Sequence, residues 1–208
     1  MRAATIAPPP CSTCARDPET HSAMTEQAPH PEHSGQSLTI QRVDAILDTG
    51  VFVACPTQEA SGRLPDRHSA YHDNISPPLT WTRVPGAQAY ALIVEDPDAP
   101  RELPFVHWMA WNIPGEAASL PEGIGNVAHP LSPQGMTQGK NDNGSYGWFG
   151  PRPPAGHGVH RYYFQIFALD EPLEMGANTP LEELVHALKA HTIAEGQMVA
   201  TYEAPTAQ

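Results

Sequence analysis

Proline and glycine interrupt this sequence so often that they leave room for few long helices. The 208 residues include 24 prolines and 16 glycines, which separate apolar runs of only a few residues. Because proline removes a backbone donor and glycine permits tight turns, this distribution favours many turns and short strands. The sequence therefore predicts an all-β fold, and a hydrophobic fraction of 40% is sufficient for a packed core.

Three segments rich in apolar or aromatic residues predict the central strands. The run 90–95 is almost continuously apolar, which is typical of a strand that is covered on both faces. The aromatic-rich segments 105–113 and 162–169 have the composition of two further strands. Additional strands are predicted at 37–40, 76–81 and 197–202.

One helix is indicated near the C-terminus. Thr179 is a capping residue, Pro180 suits the first helical position, and Glu182 stands three residues after the cap. Apolar residues then follow at helical spacing, at Leu181, Leu184, Val185 and Leu188. Gly196 is the expected end of this helix, which is an addition to the β fold and not part of a repeated βαβ unit.

The first 36 residues differ in composition from the rest of the chain. They are rich in proline, alanine, threonine and histidine without periodicity, which predicts a disordered leader over 1–36 and a single domain over 37–208. Cys11 and Cys14 form a Cys-x-x-Cys pair there, but the strand-to-helix setting of a redox motif is missing, so we expect no function for them. Met24 is a candidate translation start.

The net charge and hydropathy limit the partners of this protein. A formal charge of −12 argues against general attraction to nucleic acids or anionic membranes, so any anion needs a local site. No apolar run reaches the length of about 20 residues that a membrane span needs, and the first residues lack the apolar core of a signal peptide. We therefore expect a cytoplasmic protein without nucleic-acid partners or a membrane span.

A loop rich in glycine and proline, 150–158, leads directly into the strand that contains His160 and Tyr162. Proline and glycine fix the backbone where a ligand has to come close. Because side chains alternate along a strand, His160 and Tyr162 point to one face and Arg161 points to the other. We assign the pocket face to His160 and Tyr162, and a structural ion pair to Arg161.

Two carboxylates follow the buried strand at 90–95. Asp96 and Asp98 lie in a turn that prolines stiffen, so their side chains have fixed orientations, although aspartate is also common in turns for its backbone hydrogen bonds alone. His107 has only apolar and aromatic neighbours, and a histidine in such a place is more often a core residue than a ligand. For each of these residues taken alone, a structural role and a ligand-binding role both stay open.

Convergence of these groups would form an anion site. Imidazole nitrogens, the Tyr162 hydroxyl and backbone N–H groups near Gly150 can donate hydrogen bonds, and a carboxylate favours the protonated form of an imidazole. A dianionic phosphate beside Asp96 would be repelled. The residues therefore favour a monoanion that donates its own proton, or an amine that lies near the acidic pair.

Two other kinds of chemistry compete with anion binding. Two histidines and a carboxylate can hold a metal ion, but the neighbouring prolines and aromatic residues favour a preformed pocket, so we expect no metal and no cofactor. The Asp/His cluster could also act as a general acid–base hydrolase. Because no Gly-x-Ser-x-Gly elbow and no nucleophile with its base are evident, we expect a binding protein and not an enzyme.

Five motifs occur in a fixed order along the chain. They are Asp96-Pro97-Asp98-Ala99-Pro100, Val106-His107-Trp108, Gly139-Lys140-Asn141-Asp142, Gly150-Pro151-x-Pro153-Pro154 and Val159-His160-Arg161-Tyr162. Together they resemble the phosphatidylethanolamine-binding protein family, and residues 71–81 resemble its bacterial, Raf kinase inhibitor-like branch. The resemblance covers roughly residues 37–203. It implies a β-sandwich of two antiparallel sheets, one or two short peripheral helices and a small anion-binding pocket at one end of the central strands.

The resemblance also implies a set of ligand-binding residues. The pocket triad corresponds to Asp96, His107 and His160, the wall to Gly150, Pro151 and Tyr162, and the second acid to Asp98. The implied ligand is a small phosphorylated molecule or a similar anion, the implied oligomer is a homodimer, and docking to a kinase or a protease as protein partner is an alternative function.

Two residues depart from the family pattern. Arg152 stands between the prolines of the loop, where relatives often have a small residue or a cysteine, and Trp148 replaces a more usual tyrosine. We expect both side chains to contact the rim of the pocket and to change its ligand preference.

Overall fold

Two antiparallel sheets form the core of this protein in a computed structural model that describes residues 37–46 and 50–206. The predicted leader, with Cys11, Cys14 and Met24, lies outside the described residues. Eight strands and one α-helix occur within them, and the helix lies near the C-terminus. The predicted all-β sandwich is confirmed.

The strands are numbered in chain order. The small sheet has the order β1-β2-β5 and contains β1 (Val53–Ala54), β2 (Leu79–Trp81) and β5 (Ser119–Leu120). The large sheet has the order β6-β4-β3-β7-β8 and contains β6 (Thr137–Gln138), β4 (Phe105–Pro114), β3 (Ala89–Asp96), β7 (Val159–Leu169) and β8 (Thr192–Glu203). The helix α1 spans Leu181–His191, and short 3₁₀ helices span Thr39–Arg42 and Asp66–His68. The three predicted central strands are β3, β4 and β7.

The large sheet is covered on both faces, which explains the apolar run in β3. On one face, Leu92 and Phe164 lie in a core cluster with Leu79 of the small sheet. On the other face, Ile93 lies in a second cluster with Leu188 of α1. Because successive β3 side chains enter opposite clusters, every residue of this strand is buried.

The strand predicted at 37–40 is wrong, because this segment enters a 3₁₀ helix. The Thr39 N–H donates to Oε2 of Glu95 at 2.8 Å, and the Ile40 N–H donates to Oε1 of Gln165 at 2.6 Å. Two side chains of the large sheet therefore use the backbone donors that a strand would give to its neighbour. The partners lie more than 50 residues away, so local alternation does not reveal them.

The predicted end of the helix is also wrong. α1 ends at His191, and β8 begins at the next residue. Gly196 pairs with Ile166 inside β8, and a Cβ at this glycine would lie 1.8 Å from the carbonyl oxygen of Val51. The glycine thus marks a close backbone approach and not a helix stop. Neither α1 nor any other helix of the described residues is long and apolar enough to span a membrane.

The carboxyl group of Glu195, next to this glycine, makes stability depend on pH. Its Oε2 is buried and has no hydrogen-bond partner among the described residues. Burial, and after it the negative charge of Asp44, raises the pKa of Glu195 from 4.5 to about 7. Between these two values the folded protein keeps a proton that the unfolded chain releases. The free energy of unfolding therefore falls as the pH rises through this window, and the full loss persists above it.

We expect Glu195→Gln to remove most of this pH dependence. Because the side chain is partly exposed, the expected gain at pH 8 is on the order of 1 kcal/mol, with little change at pH 4.5. Urea denaturation of the wild type and the variant at both pH values measures it. The exposed Glu203 on the same strand supplies a control, Glu203→Gln. Identical pH profiles for the wild type and Glu195→Gln would contradict the assignment.

Candidate functional site

A cavity of about 190 Å³ lies at one end of the large sheet, where β3 ends and β4 and β7 begin. Ten residues line it, namely Asp96, Ala99, Pro100, Phe105, His107, Phe149, Arg152, Pro153, Pro154 and His160. Pockets for drug-sized ligands usually begin at about 300 Å³. This cavity therefore suits a small group.

Asp96 and His160 form a hydrogen-bonded pair inside the cavity. β3 and β7 are antiparallel neighbours, so the end of one strand meets the start of the other. Oδ2 of Asp96 accepts a hydrogen bond from Nδ1 of His160 at 2.8 Å, and the two residues are only 3% and 2% exposed. Since an ionised carboxylate only accepts, this bond holds a proton on Nδ1 and fixes the orientation of the ring.

The second oxygen of Asp96 has a structural role. Oδ1 accepts a hydrogen bond from the Asp98 N–H at 2.8 Å, which closes the turn after β3. The sequence left open whether this aspartate belongs to the turn or to the site. It belongs to both.

His107 reaches the cavity because β4 contains a bulge. Val94 pairs with Trp108, but Glu95 pairs with Val106, so His107 is the extra residue between them. Trp108 enters the cluster between the sheets, whereas Val106 enters the cluster beneath α1. The bulge therefore resets the alternation of β4, and His107 lines the cavity together with His160.

The environment of His107 favours a neutral imidazole. Its Nδ1 donates to the carbonyl oxygen of Phe149 at 2.6 Å, which leaves the lone pair of the neutral ring on Nε2. This Nε2 lies 4.0 Å from Oδ2 of Asp96. Burial lowers the pKa of His107, and the charge of Asp96 opposes this only in part. An anion that bonds to Nε2 therefore has to supply a proton, or the ring has to gain one on binding.

Tyr162 contacts His107 and is not among the residues that line the cavity. The two rings meet edge to face with their centroids 5.0 Å apart. The Tyr162 hydroxyl is buried without a hydrogen-bond partner among the described residues, and burial raises its pKa well above the ordinary value. Tyr162 thus packs against His107, and the hydrogen bond expected from its hydroxyl to a ligand stays a prediction.

Asp98 faces Arg161 and is absent from the cavity wall. Its carboxylate accepts hydrogen bonds from N, Nε and Nη2 of Arg161 at 2.9, 2.8 and 2.6 Å. Burial alone would raise the pKa of Asp98, but these bonds hold it below the ordinary value. The ion pair predicted for Arg161 is confirmed with Asp98 as its partner, and the ligand contact expected for Asp98 stays a prediction.

Gly150 and Pro151 anchor the loop instead of lining the cavity. Backbone N–H groups near Gly150 had been expected to donate to a ligand, but the Gly150 N–H itself donates to Oδ1 of Asn74 at 2.7 Å. The carbonyl oxygen of Pro151 accepts from the Ala70 N–H at 3.0 Å. The wall itself is formed by their neighbours Phe149, Arg152, Pro153 and Pro154.

The two residues that depart from the family pattern lie in different places. Arg152 is exposed and lines the cavity, with its guanidinium carbon 5.9 Å from the centroid of the Tyr71 ring. Trp148 is 1% exposed, donates from Nε1 to the carbonyl oxygen of His68 at 3.0 Å and stacks on Phe164. The expectation of a rim position is right for Arg152 and wrong for Trp148.

His157 also contacts the central histidine, although it was not among the predicted site residues. Its Nδ1 lies 2.9 Å from Nε2 of His160, so the second nitrogen of the central histidine is already hydrogen-bonded. Gly156 and Gly158 on either side have φ values of 78° and 84°, which favour glycine. A histidine between two glycines, three positions before His160, was the available signal. A ligand that bonds to this nitrogen has to displace His157.

The cavity thus combines one carboxylate, two imidazoles and one guanidinium with apolar and aromatic walls. Its ten lining residues include no serine, threonine, cysteine, tyrosine or lysine. Within 37–46 and 50–206, no group of three histidine, cysteine, aspartate or glutamate residues is arranged to hold a metal ion. Such a set of groups can bind an anion and exchange a proton with it.

Most of this chain is similar in sequence to known proteins. A family model described as phosphatidylethanolamine-binding protein matches residues 56–203. A UPF0098 protein of Methanothermobacter thermautotrophicus is 40% identical over 142 residues, which cover 68% of this chain and 91% of the relative. A UPF0098 protein of Pyrococcus abyssi is 40% identical over 144 residues, with 67% and 78% covered.

A solved structure extends the similarity to the fold. It is that of YbcL from E. coli, described as a new member of the mammalian PEBP family, and it is 32% identical to this chain. The TM-score is 0.69, and the alignment covers 76% of this chain and 100% of YbcL. The likeness thus includes the sandwich that carries the cavity.

Proposed function

The chain belongs to the phosphatidylethanolamine-binding protein family, and on this premise we propose that its cavity binds a phosphorylated small molecule or a phosphate-like anion. The observation that carries the proposal is the buried pair of Asp96 and His160 beside His107, in a cavity with no space for a large ligand. Buried ionisable groups that converge in a cleft are typical of a functional site.

Hydrogen-bond donors for an anion surround this pair. Nε2 of His160 becomes available when His157 is displaced and donates once the ring carries a second proton, and protonated His107 offers its Nε2, which lies 4.0 Å from Oδ2 of Asp96. The Arg152 guanidinium adds a permanent charge at the wall. Phe105 and Phe149 exclude water from one side, which strengthens these interactions.

We propose binding and not catalysis as the function of the cavity. The ten lining residues offer no hydroxyl, thiol or amine nucleophile, and the carboxylate and imidazoles that they do offer are hydrogen-bonded to one another or to the backbone. The alternative is a hydrolase in which the Asp96 and His160 pair activates a water molecule. Turnover of generic ester and phosphate substrates, lost in His160→Ala, would favour this alternative.

Isothermal titration calorimetry with phosphoethanolamine and phosphotyrosine tests the proposal. We expect His160→Ala to weaken binding by about 10- to 150-fold, since a charge-assisted hydrogen bond contributes about 1.5 to 3 kcal/mol. The matched control is His191→Ala. His191 is likewise hydrogen-bonded through Nδ1 to an aspartate, Asp170, at 3.0 Å, but it lies outside the cavity. Equal heats for the wild type and His160→Ala, with both proteins folded, would contradict the proposed site.

A further inference from the structure

We infer that Arg152 selects ligands by charge, so that the cavity prefers a doubly charged phosphate monoester to a singly charged phosphodiester. The inference rests on the proposed function, because it concerns the ligand of the same cavity. It assigns a specificity-determining role to a residue that lies outside the Asp96, His107 and His160 cluster.

Among the described residues, Arg152 has no carboxylate partner, unlike Arg101 and Arg161 near the cavity. Arg101 pairs with Asp142 at 2.7 Å, and Arg161 pairs with Asp98 at 2.6 Å. The Arg152 guanidinium makes no hydrogen bond or ion pair to any residue within 37–46 and 50–206. In a chain with a net charge of −12, such a cation at a cavity wall is a binding group for an anion.

The local backbone holds Arg152 in place over the cavity. Pro151 and Pro153 flank it and restrict the φ angles on both sides. Tyr71 donates from its hydroxyl to the carbonyl oxygen of Pro153 at 2.5 Å, and its ring lies beneath the guanidinium. This cation–π contact leaves the N–H groups of the guanidinium free to bond to oxygen atoms.

The charge balance of the cavity now differs from the sequence-based expectation. That expectation excluded a dianion because a dianionic phosphate beside Asp96 would be repelled. Asp98 is neutralised by Arg161, and Asp96 faces the Nδ1–H of His160. Asp96 is therefore the only carboxylate of the cavity wall that opposes an anion, and the guanidinium of Arg152 offsets its charge, which removes the repulsion that a second negative charge would otherwise meet.

Phosphate monoesters and diesters differ in this charge. A monoester loses its second proton at about pH 6, whereas a diester keeps a single charge at any higher pH. A guanidinium forms two parallel hydrogen bonds with two phosphate oxygens, and each bond is stronger when the oxygens carry more charge. We therefore expect Arg152 to favour the monoester by about tenfold at pH 8.

Calorimetry with methyl phosphate and dimethyl phosphate at pH 8 tests this inference. We expect Arg152→Gln to weaken methyl phosphate binding about tenfold and dimethyl phosphate binding less than threefold. Arg152→Lys keeps the charge but lacks the planar guanidinium. Its affinity for methyl phosphate should therefore lie between those of the wild type and Arg152→Gln. Lys189→Gln changes the net charge equally at an exposed position on α1 and should leave both affinities unchanged.

The outcomes separate this inference from the proposed function. An equal loss for both ligands in Arg152→Gln, or no loss for either, would overturn the selection by Arg152 while the anion site stands. Failure of the wild type to bind either ligand would overturn both. Arg152 is exposed, so its replacement leaves the core intact, and thermal denaturation of the variant verifies this.

Discussion

Replacing Gly150 with alanine is expected to lower the free energy of unfolding by about 3 kcal/mol and to weaken anion binding together with it. A Cβ at this position would lie 2.1 Å from the carbonyl oxygen of His68 and 2.8 Å from the backbone nitrogen of Ala70. Both neighbours are backbone atoms, so no side chain can rotate away to make space. The loop or the 68–70 segment has to move.

Movement of this loop would reach the ligand site through Phe149. The carbonyl oxygen of Phe149 accepts the hydrogen bond from Nδ1 of His107, and its N–H donates to the His107 carbonyl oxygen at 2.9 Å. The same displacement would break the bond from the Gly150 N–H to Asn74. His107 would lose the partner that sets its tautomer, so anion affinity should fall by about tenfold or more.

Urea denaturation and calorimetry at a temperature where Gly150→Ala remains folded measure the two effects. Gly176→Ala is the control, because a Cβ at Gly176 meets nothing within 4 Å and this residue is exposed. The control should change the free energy of unfolding by less than about 0.5 kcal/mol. Equal stability of Gly150→Ala and Gly176→Ala would contradict the close approach of the loop to residues 68–70.

The replacement of Trp148 with alanine is expected to lower the free energy of unfolding by about 3 to 5 kcal/mol. The indole is fully enclosed between Phe164, stacked at 5.9 Å, and Trp108, which meets it edge to face at 5.8 Å. Its removal leaves a cavity that the surrounding strands cannot fill, and it leaves the His68 carbonyl oxygen without the indole N–H.

Trp148→Phe separates the structural role from a ligand role. It retains most of the aromatic packing, and because Trp148 is absent from the cavity wall, anion affinity should stay within about threefold of the wild type. Urea denaturation of both variants and calorimetry of Trp148→Phe provide the measurements. A folded Trp148→Phe that had lost anion binding would show that the tryptophan contributes to the ligand site.

The sequence predicted the parts of the fold that depend on local patterns. The apolar run of β3, the aromatic composition of β4 and the alternation of β7 each reflect burial of the strand in which they occur. Alternation also predicted correctly that Arg161 lies opposite His160. These features need no knowledge of distant residues.

The errors in the fold arose where a distant group decides local structure. Thr39 enters a 3₁₀ helix because Glu95 takes its N–H. Gly196 lies in a strand that pairs with β7, and it is a glycine because the Val51 backbone passes close to it. Neither partner is visible in a window around the residue. A glycine has the same signature whether it ends a helix or admits another backbone.

The residues that form the site were predictable from the sequence, but the role of each residue was not. The sequence named Asp96, His107 and His160, and the structure brings them together. His107 reaches the cavity only through a bulge, which regular alternation does not predict. The pairing of Asp98 with Arg161 left Asp96 as the acid of the cavity, and this depends on which side of the turn each carboxylate faces.

The central claim is that a phosphate-like anion binds between the imidazoles of His107 and His160, and a crystal structure with phosphoethanolamine tests it most directly. The account predicts the phosphorus atom inside the cavity, with phosphate oxygens within about 3 Å of Nε2 of both histidines and His157 displaced from His160. Phosphoethanolamine bound elsewhere, with the His157 to His160 hydrogen bond still intact, would contradict the account.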